Sequence, residues 1–393
     1  MSPSKVTTPR RFELDWLRVL AILTVFVYHS TRFFNLEDWH VKNPTTYPIV
    51  EVWNMFSTNW MMPVIFFISG ASLFYALSKG GVWQFFKDKT LRLLVPLLVG
   101  VFTHATLQVY LERLTHGQFS GSYFQFLPHY FDGVYMDVGE GGNFAWMGLH
   151  LWYLVVLFLF CIFFYPLLRW LKGSGQGVLR GLGSFLALPG AAYLLALPLI
   201  WSLSSGFMDD PRPGGWSLPS YACFFLGGFI VVSHARLQEN IRRMRWLSLA
   251  MGMTLMVIYL GVRIQIEWPT PGTLLYSLFY SLIALCAWSW VLAILGFGMQ
   301  HLNFTSPFLK YANEAVLPFY ILHQTVLLCV GYFVVQWAIP DPLKWLAILS
   351  ISFAAIMSLY ELVRRNNVLR FLFGMKTLPA GPAAQAVEPA PAN

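Results

Sequence analysis

RVLAILTVFVYH, residues 18–29, lies inside the first long apolar run of the chain, from Leu14 to about Phe34. A run of that length suits a helix crossing a hydrocarbon core about 30 Å thick. Yet it carries Arg18 towards one end and His29 towards the other. Ionisable groups inside a bilayer are costly, so each raises the question of what it faces. On a helix of about 3.6 residues per turn, two positions eleven apart share one face, three turns and about 16 Å from each other. Asp15, three residues before Arg18, falls on the same face and can pair with it. Two readings stand side by side. One is a snorkelling ion pair plus a histidine hydrogen-bonded to a neighbouring helix; the other is a functional pair set along one helix.

The rest of the chain repeats the apolar run. Its 393 residues are 57% hydrophobic and 11% charged, where a soluble domain carries about 25% charged residues. The blocks predict an all-α, polytopic membrane protein with about ten helices, at 14–34, 59–78, 93–112, 148–168, 184–204, 217–233, 246–265, 273–298, 313–337 and 343–362. Pro/Gly-rich turns such as DDPRPGG at 209–215 and PTPG at 269–272 separate them. Residues 1–13 read as a cytoplasmic N-terminal segment, 14–364 as the transmembrane domain, and 376–393 as a Pro/Ala-rich tail of disordered composition. Of the 26 Lys and Arg, 19 fall on the side of the N-terminus, Arg18 lies just inside the first helix, and six fall on the other side. The positive-inside rule then makes both termini cytoplasmic. The net charge of +8 is thus mostly topological and argues for no nucleic-acid partner. Lipid is the surrounding partner, the oligomeric state stays open, and the external loops, the longest at about 113–147, are too short to fold alone. Any chemistry belongs at or within the membrane.

The four cysteines fall on four different apolar blocks without CxxC or Cys/His metal spacing, so they read as packing residues, and no metal site is expected. Motifs of soluble enzymes are missing: GxxxxGK[ST], GxSxG, HExxH and HxxxxD do not occur. What remains is a set of polar residues inside the spans. His104, His150 and His323 join His29 within reach of the bilayer interior, and each alone has a structural reading as an interhelical hydrogen bonder. The inner loop KGGVWQFFKDKTLRLLVP brings Lys87, Lys89 and Arg92 close to the first helix. That is either a positive-inside anchor or a site for a phosphate-bearing ligand. The aromatic side chains of the long external loop suit sugar stacking or an interfacial belt.

FELDWLRVLAILTVFVYHS at 12–30 resembles the first-helix signature of the acyltransferase 3 family of membrane acyltransferases, in which an Arg and a His are spaced as Arg18 and His29 are. FFISGASLF at 66–74, KTLRLLVP at 89–96, HLWYLVVL at 150–157 and PFYILHQTV at 318–326 fall where that family has its recurrent blocks. The family's basic motif is commonly Arg-x-x-Arg; here it is Lys89-x-x-Arg92, which keeps the charge but loses the planar fork at position 89. WMMPVIFFISG and HLWYLVVLF look closest to the glucan biosynthesis branch, associated with succinylating periplasmic glucans.

The resemblance implies transfer of an acetyl- or succinyl-class group from cytoplasmic acyl-CoA to a hydroxyl of an extracytoplasmic carbohydrate or glycan, in a bacterial inner membrane and with no resident cofactor. It implies His29 as the base that deprotonates the hydroxyl, Arg18 as its catalytic companion at the donor, and Lys89 and Arg92 as acyl-donor-binding residues. Asp15, His150, Trp152 and His323 are expected in supporting places. The physical reading agrees, since a hydroxyl needs a base within hydrogen-bond reach and an imidazole suits that task. The competing class is a secondary transporter of a small anionic or acylated solute. It predicts inverted repeats and helices broken in matched halves, and neither is evident.

Overall fold

In the computed structural model, which describes residues 10–77, 81–208, 210 and 212–378, the chain is helical and no strand occurs among the described residues. Most of the N-terminal segment and all of the tail beyond Leu378 lie outside them. α1 (Phe12–Thr31) is followed by α2 (Pro48–Ala76), then by α3 (Val82–Lys89), a π-helical turn (Thr90–Leu94) and α4 (Val95–Thr115) in one line. A single turn, α5 (Tyr123–Phe126), marks the long loop before α6 (Trp152–Phe163) and α7 (Tyr165–Lys172). Next come α8 (Gln176–Leu186), α9 (Leu197–Ser205), α10 (Leu218–Val232), α11 (Ala235–Arg243), α12 (Arg245–Gln265), α13 (Leu274–His301), α14 (Pro307–Val334), α15 (Asp341–Val363) and the short α16 (Asn367–Leu372).

Six of these helices are long and apolar enough to cross a membrane, nine if each of three bent pairs counts as one span. α1 falls outside that set because Asp15, Arg18 and His29 lower its apolarity. The pairs bend by 54° at α6/α7, by 116° between α8 and the Ala191–Ser205 segment that ends in α9, and by 107° at α10/α11. The continuous helix expected over 184–204 is therefore two, separated at Leu188-Pro189-Gly190. Pro189 disfavours helix in the residue before it, and Gly190 takes φ +78°, which only glycine adopts freely. α2 starts eleven residues before the expected 59. Its first turns hold Asn54, Ser57 and Asn59, which interrupt the apolar run yet are buried against protein rather than lipid.

α1 is the axis of the bundle and touches α2, α13, α14 and α15. α2 packs most closely on α10, where a Cβ on Gly70 would lie 1.7 Å from the Phe225 carbonyl oxygen and one on Gly228 would lie 1.9 Å from that of Phe67. The two backbones touch, which is how helices without a hydrophobic drive between them gain packing.

Long-range contacts sort the polar ends into two groups. At the basic end, Arg11 bonds Gln238, Arg169 donates to the Leu77 carbonyl at 3.2 Å, and Arg370 donates to Glu314 at 2.9 Å. At the other end, the Tyr47 hydroxyl donates to Asp341 at 2.7 Å and Trp216 to the Thr58 carbonyl at 2.9 Å. Phe126 and Tyr130 of the long loop are buried with Ala105, Val109 and Ala145 in a small core of their own. They hold the loop down on α4.

Candidate active site

Two cavities lie along α1. The one at the basic end, about 250 Å³, is lined by Arg18, Ser72, Lys89, Arg92, Tyr153, Asn313 and Tyr320 among others. Arg18 donates from Nη2 to Ser72 Oγ at 2.7 Å and from Nη1 to Asn313 and Asp15, both at 3.3 Å. Asp15 in turn accepts from Arg10 at 2.8 and 3.0 Å. The guanidinium is thus held as a fork by three neighbours on α1, α2 and α14. A merely snorkelling side chain would not be held this way.

The π turn sets the other two cations. Pro96 has no N–H to offer the carbonyl four residues back, that of Arg92, and the helix widens so that Val95 N–H bonds Thr90 instead. Gly374, at φ +66°, packs against the same Arg92 carbonyl, where a Cβ would come within 2.7 Å of the oxygen. Lys89 stands 5.6 Å over the Phe85 ring, and the Arg92 head makes no hydrogen bond or ion pair with a described residue.

The second cavity, about 220 Å³, is lined by His29, Arg32, Trp39, His150, Trp152, Tyr320 and Gln324 among others. His29 stacks on Trp39 with ring centroids 6.0 Å apart, and its Nδ1 is buried without a partner. The His323 ring is 5.2 Å from that of His29 and 5.0 Å from that of His150. Three of the four histidines singled out from the sequence therefore form one cluster. The fourth, His104, lies apart, edge-on to Phe373.

Each ring has a distinct state. His323 Nδ1 donates to the Tyr320 carbonyl at 2.5 Å, which leaves a lone pair on its buried, unpartnered Nε2. His150 Nε2 donates to the Ile321 carbonyl at 3.0 Å, and its Nδ1 accepts from Gln108 at 3.3 Å, so both nitrogens are engaged. His29 alone presents an imidazole to the cavity with no fixed partner. Trp152 packs between the cavity and Tyr221, 5.3 Å away.

A buried polar chain supports this cluster. Gln108 Nε2 also donates to Thr325 at 2.7 Å, while Gln324 Nε2 donates to Gln108 Oε1 at 3.0 Å and to His40 Nε2 at 3.3 Å. His40 Nδ1 bonds Glu112, which further accepts from Tyr135 at 2.8 Å, Gly139 N–H at 3.0 Å and Arg113 at 3.2 Å. Burial, then the Glu112 charge, push the Tyr135 phenol up, so it stays a donor. In the loop after α1, Lys42 donates to the carbonyls of Arg32, Asn35 and Glu37 and so shapes the segment behind Arg32. Burial, then the Arg32 charge, pull its ammonium down to about 8.

Tyr320 is the residue that lines both cavities, and its hydroxyl bonds the His150 carbonyl. Sequence reasoning missed it, along with His40, Gln108, Glu112 and Gln324. Gln108 and Glu112, one turn apart inside an apolar helix, were a signal of the kind that marks function in membranes. His40 sits in a loop and carried none. Among the described residues no group of three or more His, Cys, Asp or Glu is placed to hold a metal, and all four cysteines are free thiols.

Residues 11–361 match the acyltransferase domain of the acyltransferase 3 family. The chain is similar to the glucans biosynthesis protein C of Salmonella heidelberg (strain SL476), 22% identical over 391 residues that cover 95% of this chain and 97% of that protein. Proteins of the same name from Salmonella agona (strain SL483) and Salmonella enteritidis PT4 (strain P125109) match to the same extent, 22% identical over 95% of this chain and 97% of each. No solved structure matches. With the family model covering nearly the whole chain, the chain belongs to the acyltransferase 3 family and is a membrane acyltransferase.

Proposed function

We propose that the protein carries an acetyl- or succinyl-class group from cytoplasmic acyl-CoA to a hydroxyl of an extracytoplasmic glycan, with a glucan as the first acceptor to try. The observation that carries this reading is the pair of cavities with Tyr320 in common, one lined by Arg18, Lys89 and Arg92 and the other by His29. The relatives' name supports a glucan. The lopsided Lys/Arg count supports a cytoplasmic basic end, both termini cytoplasmic, and ten spans with α1 as the tenth, and the relatives' bacterial source supports a bacterial inner membrane.

Cationic groups at the basic end suit the phosphates of acyl-CoA, with the thioester arm reaching past Arg18 towards Tyr320. His29 accepts the acceptor's hydroxyl proton as its oxygen attacks the thioester carbonyl. The carbon–sulfur bond then breaks, and the proton held on His29 passes to the leaving thiolate, which returns the imidazole to its neutral form. The products are an ester and free CoA. Arg18 holds or neutralises the donor, and Asp15 keeps Arg18 in place. His323, with its ring 5.2 Å from that of His29 and its Nε2 unpartnered, serves as a second proton acceptor, and His150 and Trp152 shape the wall.

The test is product formation. Purified protein with acetyl-CoA or succinyl-CoA and a glucan should release CoA and add the corresponding mass to the glucan by mass spectrometry. CoA release without an ester on any hydroxyl acceptor would defeat the reading.

A further inference from the structure

The cavity at His29 is small, below the about 300–1,000 Å³ usual for a small-molecule site, and has room only for the reacting end of an acceptor. It does not end there. A second hollow of about 550 Å³ adjoins it, and Tyr28, Arg32, Thr58 and Gly214 line both. We propose that this hollow, between α2, α12 and α13, is a groove that holds the sugar rings of a glucan chain beyond the one being acylated. The proposal rests on the acyl-transfer reading above and adds where the rest of the acceptor lies.

The lining chemistry is that of a polyhydroxyl ligand. Arg32, Arg212 and Arg263 line the hollow together with Glu37 and Glu51, Arg32 being paired directly with Glu37, so donors and acceptors are mixed and the charges largely offset. A sugar hydroxyl both donates and accepts, and needs such a mixture. Two of the guanidiniums are spread on rings: Arg212 lies 4.7 Å over Tyr280 and Arg263 lies 4.5 Å over Trp268. Arg263 donates from Nη1 to the Ile266 carbonyl at 3.0 Å, which fixes the fork and keeps other N–H groups for a ligand. Trp268 is half exposed and braced edge-on by Phe279, 5.9 Å away, so it presents a rigid apolar face.

Two buried amides in the lining carry polar atoms that the protein itself leaves unpaired. Asn54 and Asn59 are 3% and 4% exposed, yet Asn54 Nδ2 and Asn59 Oδ1 have no partner. Exchanging O and N of Asn54 does not cure this. Its Oδ1 lies 2.8 Å from Thr31 Oγ1, which is also 2.7 Å from the Tyr28 carbonyl. Turned over, the amide nitrogen would meet Thr31 and the oxygen would be left alone instead. One amide atom stays open in either orientation, and buried polar groups left unpaired are destabilising unless a ligand or water completes them. Gly214 joins the two spaces. It has φ +64°, and a Cβ there would come within 2.7 Å of the Trp152 ring.

The experiment is a binding titration of the full chain in detergent, without donor, using glucose and a ladder of linear glucan oligosaccharides. Affinity should rise over the first few sugars and then level off. Trp268→Ala and Arg263→Ala should each lower the affinity of the longer glucans about tenfold, the equivalent of about 1.4 kcal/mol, and Trp268→Phe should restore most of it. Affinity independent of chain length, or unchanged in both alanine variants, overturns the groove. So does binding that collapses with salt, which would point to a charged headgroup. Failure of the acyl-transfer reading looks different: no ester forms from acyl-CoA on any acceptor, whatever the titration shows.

Discussion

At the scale of single residues, the Arg18/His29 pair was legible because the helix period places both on one face and lipid offers neither a partner. What the period does not show is who meets them. Ser72 and Asn313 come from α2 and α14, and their contacts with Arg18 span 54 and 295 residues of chain. Tyr320 and Gln324 flank His323 in PFYILHQTV but look like ordinary span residues until α14 is packed on α1. If His29 is the base, His29→Ala should lower CoA release in the presence of acceptor about 10²- to 10⁴-fold, with the protein still inserted and monodisperse. Turnover near that of the parent protein would transfer the role to His323. Arg18→Lys keeps the charge but cannot reach Ser72, Asn313 and Asp15 together. It should fall about 10- to 100-fold, as expected for lost hydrogen bonds to a charged group. If Arg18 were only snorkelling, lysine would serve equally well.

Helices were readable as elements, their ends and breaks less so. The apolar run 184–204 hid a turn because Pro189 and Gly190 are flanked by leucines and alanines that suit either a span or a bend. α2 began early because Asn54, Ser57 and Asn59 are buried against protein, and hydropathy cannot tell protein from water as their destination. The π turn at Thr90–Leu94 was foreshadowed by Pro96, whose consequence for Lys89 and Arg92 appears only in three dimensions. Replacing Lys89 and Arg92 together with Gln should raise the KM for acyl-CoA about tenfold or more while that for the acceptor holds steady, since each charged contact contributes about 1.5–3 kcal/mol. An equal rise in both constants would mark them as anchors. The α2/α10 contact makes a separate prediction. Gly70→Val forces the backbones apart and should destabilise the protein by about 1–3 kcal/mol or more, read as a lowered melting temperature in detergent. An unchanged melting temperature would mean that the two helices do not touch as described.

Across the whole molecule, the basic residues gather at one end, Arg18 lies near it, and His29 is three turns further along α1. Two cavities separated by one tyrosine suit a reaction whose substrates arrive from opposite sides. A transporter would instead move one intact solute through both. The measurement that separates them uses sealed vesicles of known orientation, with labelled acyl-CoA on the side of the basic end and a glucan enclosed on the other. Labelled ester should appear on the enclosed glucan and free CoA on the donor side, with no intact acyl-CoA or glucan across the membrane. Intact substrate accumulating across the membrane without an ester, or ester formed only when both substrates share the basic side, would contradict it.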